Sequence, residues 1–439
     1  MKDSNVFQLV VLGTFFVAAL VGVILFAGFR ATPPESAFAN EVVLWGTVNA
    51  RDMDQLLRAT TERLGEVNFR VRYVEKRHES FERALLEALA SGVGPDLILL
   101  PQDEFLTYAN KLREIPFELY PERAFKDTFV EEGEVFLTRK GILGLPFTID
   151  PLVLYWNRTT FTSAGLIEPP HFWDEYFALA RDLTVRNEAG TIVKSAVALG
   201  EFANVTNAKD IFAALVFQAG NPIVVRGEDG SLSSVLASRA SDRAVSPAEA
   251  ALRFYIDFSN PVKPTYSWNR SLPTSENVFL AGNLATYLGF ASELPDIRAK
   301  NPNLNFDVAE IPQARETGVK ATFGRMQALA ITRKSPFGND AWRAAQILTS
   351  AESLQLWSEI SLLPPVRRDL LSDKPADDAR AAIFYNAALR SRGWLDPGPR
   401  QSEAVFRDMV EAAATGRERV SDAVFRANGE LGVLLQGRQ

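Results

Sequence analysis

A chain of 439 residues is long enough for two or three domains, and 47% hydrophobic with 23% charged residues is the balance of an ordinary globular protein. A formal charge of -7 with no basic run argues against nucleic acid as a partner. Cysteine is absent, which excludes disulfides, thiolate metal sites, a thiol nucleophile and an acylated cysteine tether.

Residues 7–29, after a tail of residues 1–6, are 23 positions without a formal charge. At about 1.5 Å per residue they are long enough to cross a hydrocarbon layer of roughly 30 Å. They read as one retained transmembrane helix in the lipid bilayer. A cleaved signal peptide is the rival reading, since Ala37-Phe38-Ala39 resembles a cleavage site, but the apolar run exceeds the usual ~7–15 residues and ends well before it. Residues 30–40, rich in Pro, Ser and Ala, read as a spacer.

Beyond the spacer, a strand at 42–45, a helix at 52–64 and a strand at 69–73 begin a βαβ unit. Phe81, Ala84, Leu85, Ala88 and Leu89 form one apolar helix stripe, Gly92-Val93-Gly94-Pro95 turns the chain, and 97–100 is another buried strand. Such alternation predicts an open, mostly parallel sheet with helices on both faces. Ligands gather beyond the carboxyl ends of strands in that architecture, which makes Asn49, Arg51, Gln102 and Asp103 candidates, although short polar loop residues also serve as turns and caps.

At residues 141–161 two buried-strand patterns, 142–145 and 152–156, follow one another with no turn long enough for a hairpin. Pro146 and Pro151 lack ladder donors and are expected to end the pairing between them. The pattern predicts a crossing between two lobes with Thr148, Ile149 and Pro151 on the hinge and Asp150 facing a cleft. A second lobe then carries helices at 172–183 and 211–219, strands at 196–199, 284–288 and 306–311, and a helix opened by Ser246-Pro247-Ala248-Glu249. A second crossing returns through 326–332, and helices dominate from 340 onward, with the last at 402–414 and 420–435.

These segments resemble, in their order, the extracellular solute-binding proteins of ABC importers, in the group that includes the maltodextrin-binding proteins. The likeness rests on Gly94-Pro95-Asp96 before a strand, Leu145-Pro146 through Tyr155-Trp156-Asn157, and Pro169-Pro170-His171-Phe172-Trp173-Asp174-Glu175. It continues with 278–286, 328–335 and Gly416-Arg417 before the last helix. The resemblance implies a two-lobed α/β fold of the periplasmic-binding-protein type (type II), here behind one N-terminal transmembrane helix. The lobes are expected at 41–149 with 309–366 and at 150–308 with 367–439. It also implies that Asp103 and Asp150 occupy polar cleft positions and that the loop with Asn204 and Asn207 faces ligand.

The chain departs from the maltodextrin binders where they carry cleft tryptophans: Leu100 stands before Pro101, and Phe406 is the one aromatic near 402–406. Trp268, Phe290 and Trp394 are therefore the candidates for a stacking face, while Trp156, Trp173, Trp342 and Trp357 are assigned to packing. Neither His78 nor His171 sits in a catalytic motif, and no H-E-x-x-H, G-x-S-x-G or Walker A pattern occurs. The expectation is a non-enzymatic monomer without cofactor or metal, its globular part extracellular or periplasmic at the cell membrane. It would bind a carbohydrate or similar polar solute and deliver it to permease subunits, with ATPase subunits engaged indirectly. The alternatives are a membrane-tethered carbohydrate-active enzyme using Asp103 and Asp150, and an adhesion or scaffold protein.

Overall fold

A computed structural model describes residues 40–64, 69–239, 245–315, 318–375 and 378–438. The expected transmembrane segment 7–29 lies outside the described residues, among which no helix is long and apolar enough to cross a membrane.

The first lobe begins with β1 (Asn40–Gly46), α1 (Ala50–Leu64), β2 (Phe69–Glu75), α2 (His78–Ser91) and β3 (Leu97–Pro101). β1 runs parallel to both β2 and β3, as the alternation predicts. Val42 and Leu44 on β1, Met53 and Leu56 on α1, and Phe81 and Leu85 on α2 all bury their side chains in this layer. α2 ends at Gly92, whose φ of 75° is the left-handed cap that glycine adopts without strain.

The crossing is one continuous 13-residue strand, β4 (Leu145–Asn157). The expectation that Pro146 and Pro151 interrupt pairing is overturned. Residues Leu145 to Pro151 pair antiparallel with one partner strand throughout, and a register shift beside Phe147 absorbs the irregularity. Pro151 stands where β4 changes partners, because Leu152 to Trp156 pair with a strand of the second lobe instead.

That lobe contains β5 (Ile192–Val197), α3 (Ala208–Gln218), α4 (Pro247–Asp257) and β6 (Leu284–Phe290). β6 runs antiparallel to the second half of β4 and parallel to β5. α4 starts as the sequence predicts, with the Ser246 side chain accepting from the Glu249 backbone and proline in the first turn. β7 (Phe306–Ala309) occupies the other edge of β4 beside residues 154–157. Its successor β8 (Thr322–Ile331) continues along residues 145–151 and then pairs on its far edge with β3. β8 is thus the second crossing.

α5 (Ala351–Ser361) packs on α1 in the first lobe. α6 (Ala379–Arg390) leads to β9 (Ser391–Arg392), parallel to the start of β8. α7 (Pro399–Ala414) and α8 (Val420–Gln436) pack on one another and on α4. One short segment expected in the second lobe packs on the first: Arg368 donates to the carbonyls of Lys126 and Phe129, and Arg367 bridges Phe129.

Candidate functional site

Between the lobes lies a cavity of about 1010 Å³, at the upper end of the ~300–1,000 Å³ typical of small-molecule sites. The loops after β1 and β3 reach it, as expected from the carboxyl-end rule, and bring Asn49, Gln102, Asp103 and Glu104 to its wall. Asn49 also caps α1 through the Arg51 N–H at 2.9 Å. Arg51 itself is exposed and lies outside the lining, because the first turn of α1 carries it toward solvent.

Asp103 is half-buried and accepts no hydrogen bond from a described residue. Burial pushes its carboxyl above the usual range, Asp396 and Asp210 add to the shift, and Lys209 and Arg325 oppose it. Glu104 beside it is pushed up to about 7, first by burial and then by Asp103 and Glu82. From β4, Thr148 and Asp150 line the cavity, whereas Ile149 is fully buried in the crossing strand. The Asp150 carboxylate accepts the Ser292 N–H at 3.0 Å, and burial raises it to about 6.

Two cations of the wall, Lys209 from the second lobe and Arg325 from the crossing strand β8, are both paired. Lys209 Nζ lies 3.0 Å from Asp396, whose carboxylate also accepts from Ser402 Oγ at 2.7 Å and the Gly398 N–H at 2.8 Å. Arg325 on β8 lies 2.6 Å from Asp210 and 3.7 Å above the Phe290 ring. Asn207 lines the cavity at the head of α3 with a φ of 63°, a left-handed geometry that asparagine tolerates better than most residues. Its side chain bridges Arg325 and Glu293.

Three expected ligand contacts are structural instead. Trp268 is fully buried and donates its indole N–H to Asn204 Oδ1 at 3.1 Å. The Asn204 amide in turn donates to the carbonyls of Asn269 and Leu272, so both side chains brace a loop behind the cleft. Phe290 is fully buried under Arg325, supporting the wall from beneath. Trp394 does line the cavity, with its ring against the edge of Phe406 at 5.9 Å.

Trp357, assigned to packing from its helix, is one of the lining residues that sequence reasoning missed, together with Glu104, Tyr108, Lys209, Arg325 and Asp396. One face of the Trp357 ring lies 5.0 Å from Phe147, yet the side chain also lines the cavity, and its buried Nε1 makes no hydrogen bond with a described residue. The Tyr108 hydroxyl, Glu104 Oε2 and Gln327 Oε1 are likewise buried without a partner on side chains of the same wall, whereas the Gln102 amide packs against Gly393 and donates to the Gly324 carbonyl at 2.7 Å. A donor–acceptor set of this kind suits a solute that presents hydroxyls in several directions.

No protein-family model matches the chain. Proteins of Brucella abortus and Brucella suis that carry the name binding protein are 22% identical over 301 residues, covering 67% of this chain and 68% of theirs. Among solved structures, the cyclic α-maltosyl-1,6-maltose binding protein of Arthrobacter globiformis superposes with a TM-score of 0.74 at 18% identity, covering 90% of this chain and 99% of that one. An ABC transporter solute-binding protein of Thermotoga lettingae, bound with α-D-tagatose, gives 0.64 at 22% identity over 90% of this chain and all (100%) of that one. A cyclo/maltodextrin-binding protein complexed with maltotetraose gives 0.70 at 17%, over 89% and 96%. The chain therefore has the two-lobed fold of ABC-transporter solute-binding proteins, in agreement with the order of motifs in its sequence. The matched structures are binding proteins rather than enzymes.

Proposed function

We propose that the chain is the solute-binding subunit of an ABC importer, a monomer that captures a carbohydrate or similarly polar solute between its lobes and hands it to a permease. The observation that carries this reading is the cavity itself, lined by polar side chains from both lobes and from both crossing strands, with buried polar atoms of Glu104, Tyr108 and Trp357 in the first lobe and Gln327 on β8 that have no partner within the described residues. In this reading Asn49, Asp103 and Asp150 bind hydroxyls from one side, Asn207 from the other, and Trp394 and Trp357 offer apolar ring area. Leu100, buried in β3 where maltodextrin binders place a cleft tryptophan, turns the reading away from maltodextrin.

The uncharged run at 7–29 supports an anchor that keeps the globular part outside the cell membrane and close to the permease, where tethering raises the effective concentration. A thermal-shift screen of the full chain against sugars, oligosaccharides, polyols and amino acids tests capture. A ligand at 100 times its Kd is expected to stabilise by about 2.7 kcal/mol. Absence of any stabilising small solute would overturn capture, and release of a hydrolysis product would favour the carbohydrate-active enzyme.

A further inference from the structure

We propose that the cleft selects a sugar or cyclitol bearing an ammonium group, seating the cation against Asp103 and Glu104 while Tyr108 and Trp357 bind the ring that carries it. This deepens the capture reading and rests on it. Carboxylates outnumber cations nine to five on the cavity wall, with Asp103, Glu104, Asp150, Asp210 and Asp396 among the acids and Lys209 and Arg325 among the cations. Both of these cations are paired, Lys209 with Asp396 at 3.0 Å and Arg325 of the crossing strand β8 with Asp210 of the second lobe at 2.6 Å. Each of them already holds a carboxylate of the wall, and a third cation, Arg407, pairs with Glu403. Asp103 and Glu104, on the opposite wall, accept no hydrogen bond from a described residue, and Glu104 Oε2 is buried.

The carboxylates do not stand alone as an indication of a ligand. Tyr108 is 0% exposed and Trp357 5%, and each has an unpartnered polar atom on a side chain that lines the same cavity. A buried polar atom is costly unless something completes its hydrogen bond, and a hydroxylated ring can do so here. Arg400 and Arg438 on the other lip offset part of the field at Glu104 and Tyr108, but neither forms an ion pair with a described carboxylate across the mouth. Burial lifts Glu104 to about 7, which a bound ammonium would reverse by favouring the ionised form. Asp103 and Glu82 raise that carboxyl further and Arg400 lowers it.

Calorimetry on the full chain with matched probes tests the proposal: glucosamine against glucose, galactosamine against galactose, glucosamine oligomers against cello-oligosaccharides, and the corresponding uronates. In at least one pair the ammonium member is expected to bind tenfold or more tightly than its hydroxyl partner, with the uronate weakest. Glu104→Gln is expected to narrow that ratio about 10- to 100-fold, the factor of one charge-assisted hydrogen bond. Asp103→Asn gives a second reading of the same ratio should Glu104→Gln fold poorly. Equal or tighter binding of every hydroxyl member, or preference for a uronate, overturns the ammonium assignment and leaves capture standing. Failure of every probe to bind overturns the ammonium assignment, and capture falls with it only if the wider screen of polyols and amino acids is also empty.

Discussion

Asp150 shows how one side chain serves fold and site in opposite senses. Its carboxylate accepts the Ser292 N–H across the junction of the lobes and lines the cavity, and burial raises it to about 6. A carboxyl with a folded pKa above its unfolded value contributes stability that is fully present below about pH 4 and is lost as pH rises through about 6. At pH 7 its charge therefore opposes folding. Asp150→Asn is expected to keep or raise Tm at pH 7 while weakening solute binding about 10- to 100-fold, because one charged acceptor is removed. Thermal unfolding and calorimetry on the same preparation check both halves, and a loss of Tm with unchanged affinity would reverse the assignment. Leu362 offers a contrast. It caps α5 at φ 59°, a left-handed geometry unfavourable for a branched side chain, between Ser361 and Leu363 of the cavity wall. Leu362→Gly is expected to add a few tenths to about 1 kcal/mol in denaturant unfolding, the strain relieved less the extra chain entropy of glycine. Loop residues at strand ends, Asn49 and Asp103, were legible because topology alone places them. Trp357 was not, because a tryptophan on an amphipathic helix has the same pattern whether its indole N–H meets the core or a cleft.

At the scale of elements, the paired crossing of β4 and β8 was legible as two apolar strand patterns without a turn. The prolines misled because a proline ends pairing only where its missing N–H is needed, and here a register shift and a change of partner accommodate both positions. What pattern could not reveal is how closely the second crossing approaches a buried acid. Gly324 on β8 has no room for a side chain: an added Cβ would overlap the Glu132 carboxylate and meet Ser391 Cβ at 2.9 Å. Gly324→Ala is expected to destabilise by about 1–3 kcal/mol in denaturant unfolding, the usual cost of overpacking. Glu132 is 1% exposed, and burial lifts it to about 8, with Asp150 adding and Gln102 and Arg392 opposing. Its contribution to stability is complete below about pH 4.5 and disappears as pH rises through about 8. Glu132→Gln is expected to flatten the fall in Tm between those values, and an unchanged slope would place the pH dependence elsewhere.

Over the whole molecule the order of weak motifs defined the fold better than any of them did singly, since each constrains one βα junction and their sequence constrains the path between lobes. Charge distribution across the mouth was invisible in that order, because it depends on which helix faces which. Glu79 and Glu82 lie on the wall from the first lobe, and Arg400 and Arg438 on the wall from the second. Glu104 and Tyr108 both sense those arginines electrostatically. In the proposed capture cycle the apparent affinity scales with the fraction of molecules able to close, so attraction between lips acts on affinity without touching the solute. Such attraction is screened over about 10 Å at 0.1 M salt and about 3 Å at 1 M. Affinity for a neutral sugar is therefore expected to fall severalfold between ~0.05 M and ~1 M sodium chloride, together with a rise in the radius of gyration of the free protein. Arg400→Glu places like charges at the mouth, and is expected to weaken binding at low salt and to reverse the sign of the salt effect. Scattering and calorimetry over the same salt series separate this from a direct contact: if affinity is independent of salt while Arg400→Glu still weakens binding, Arg400 touches the solute rather than the opposite lip.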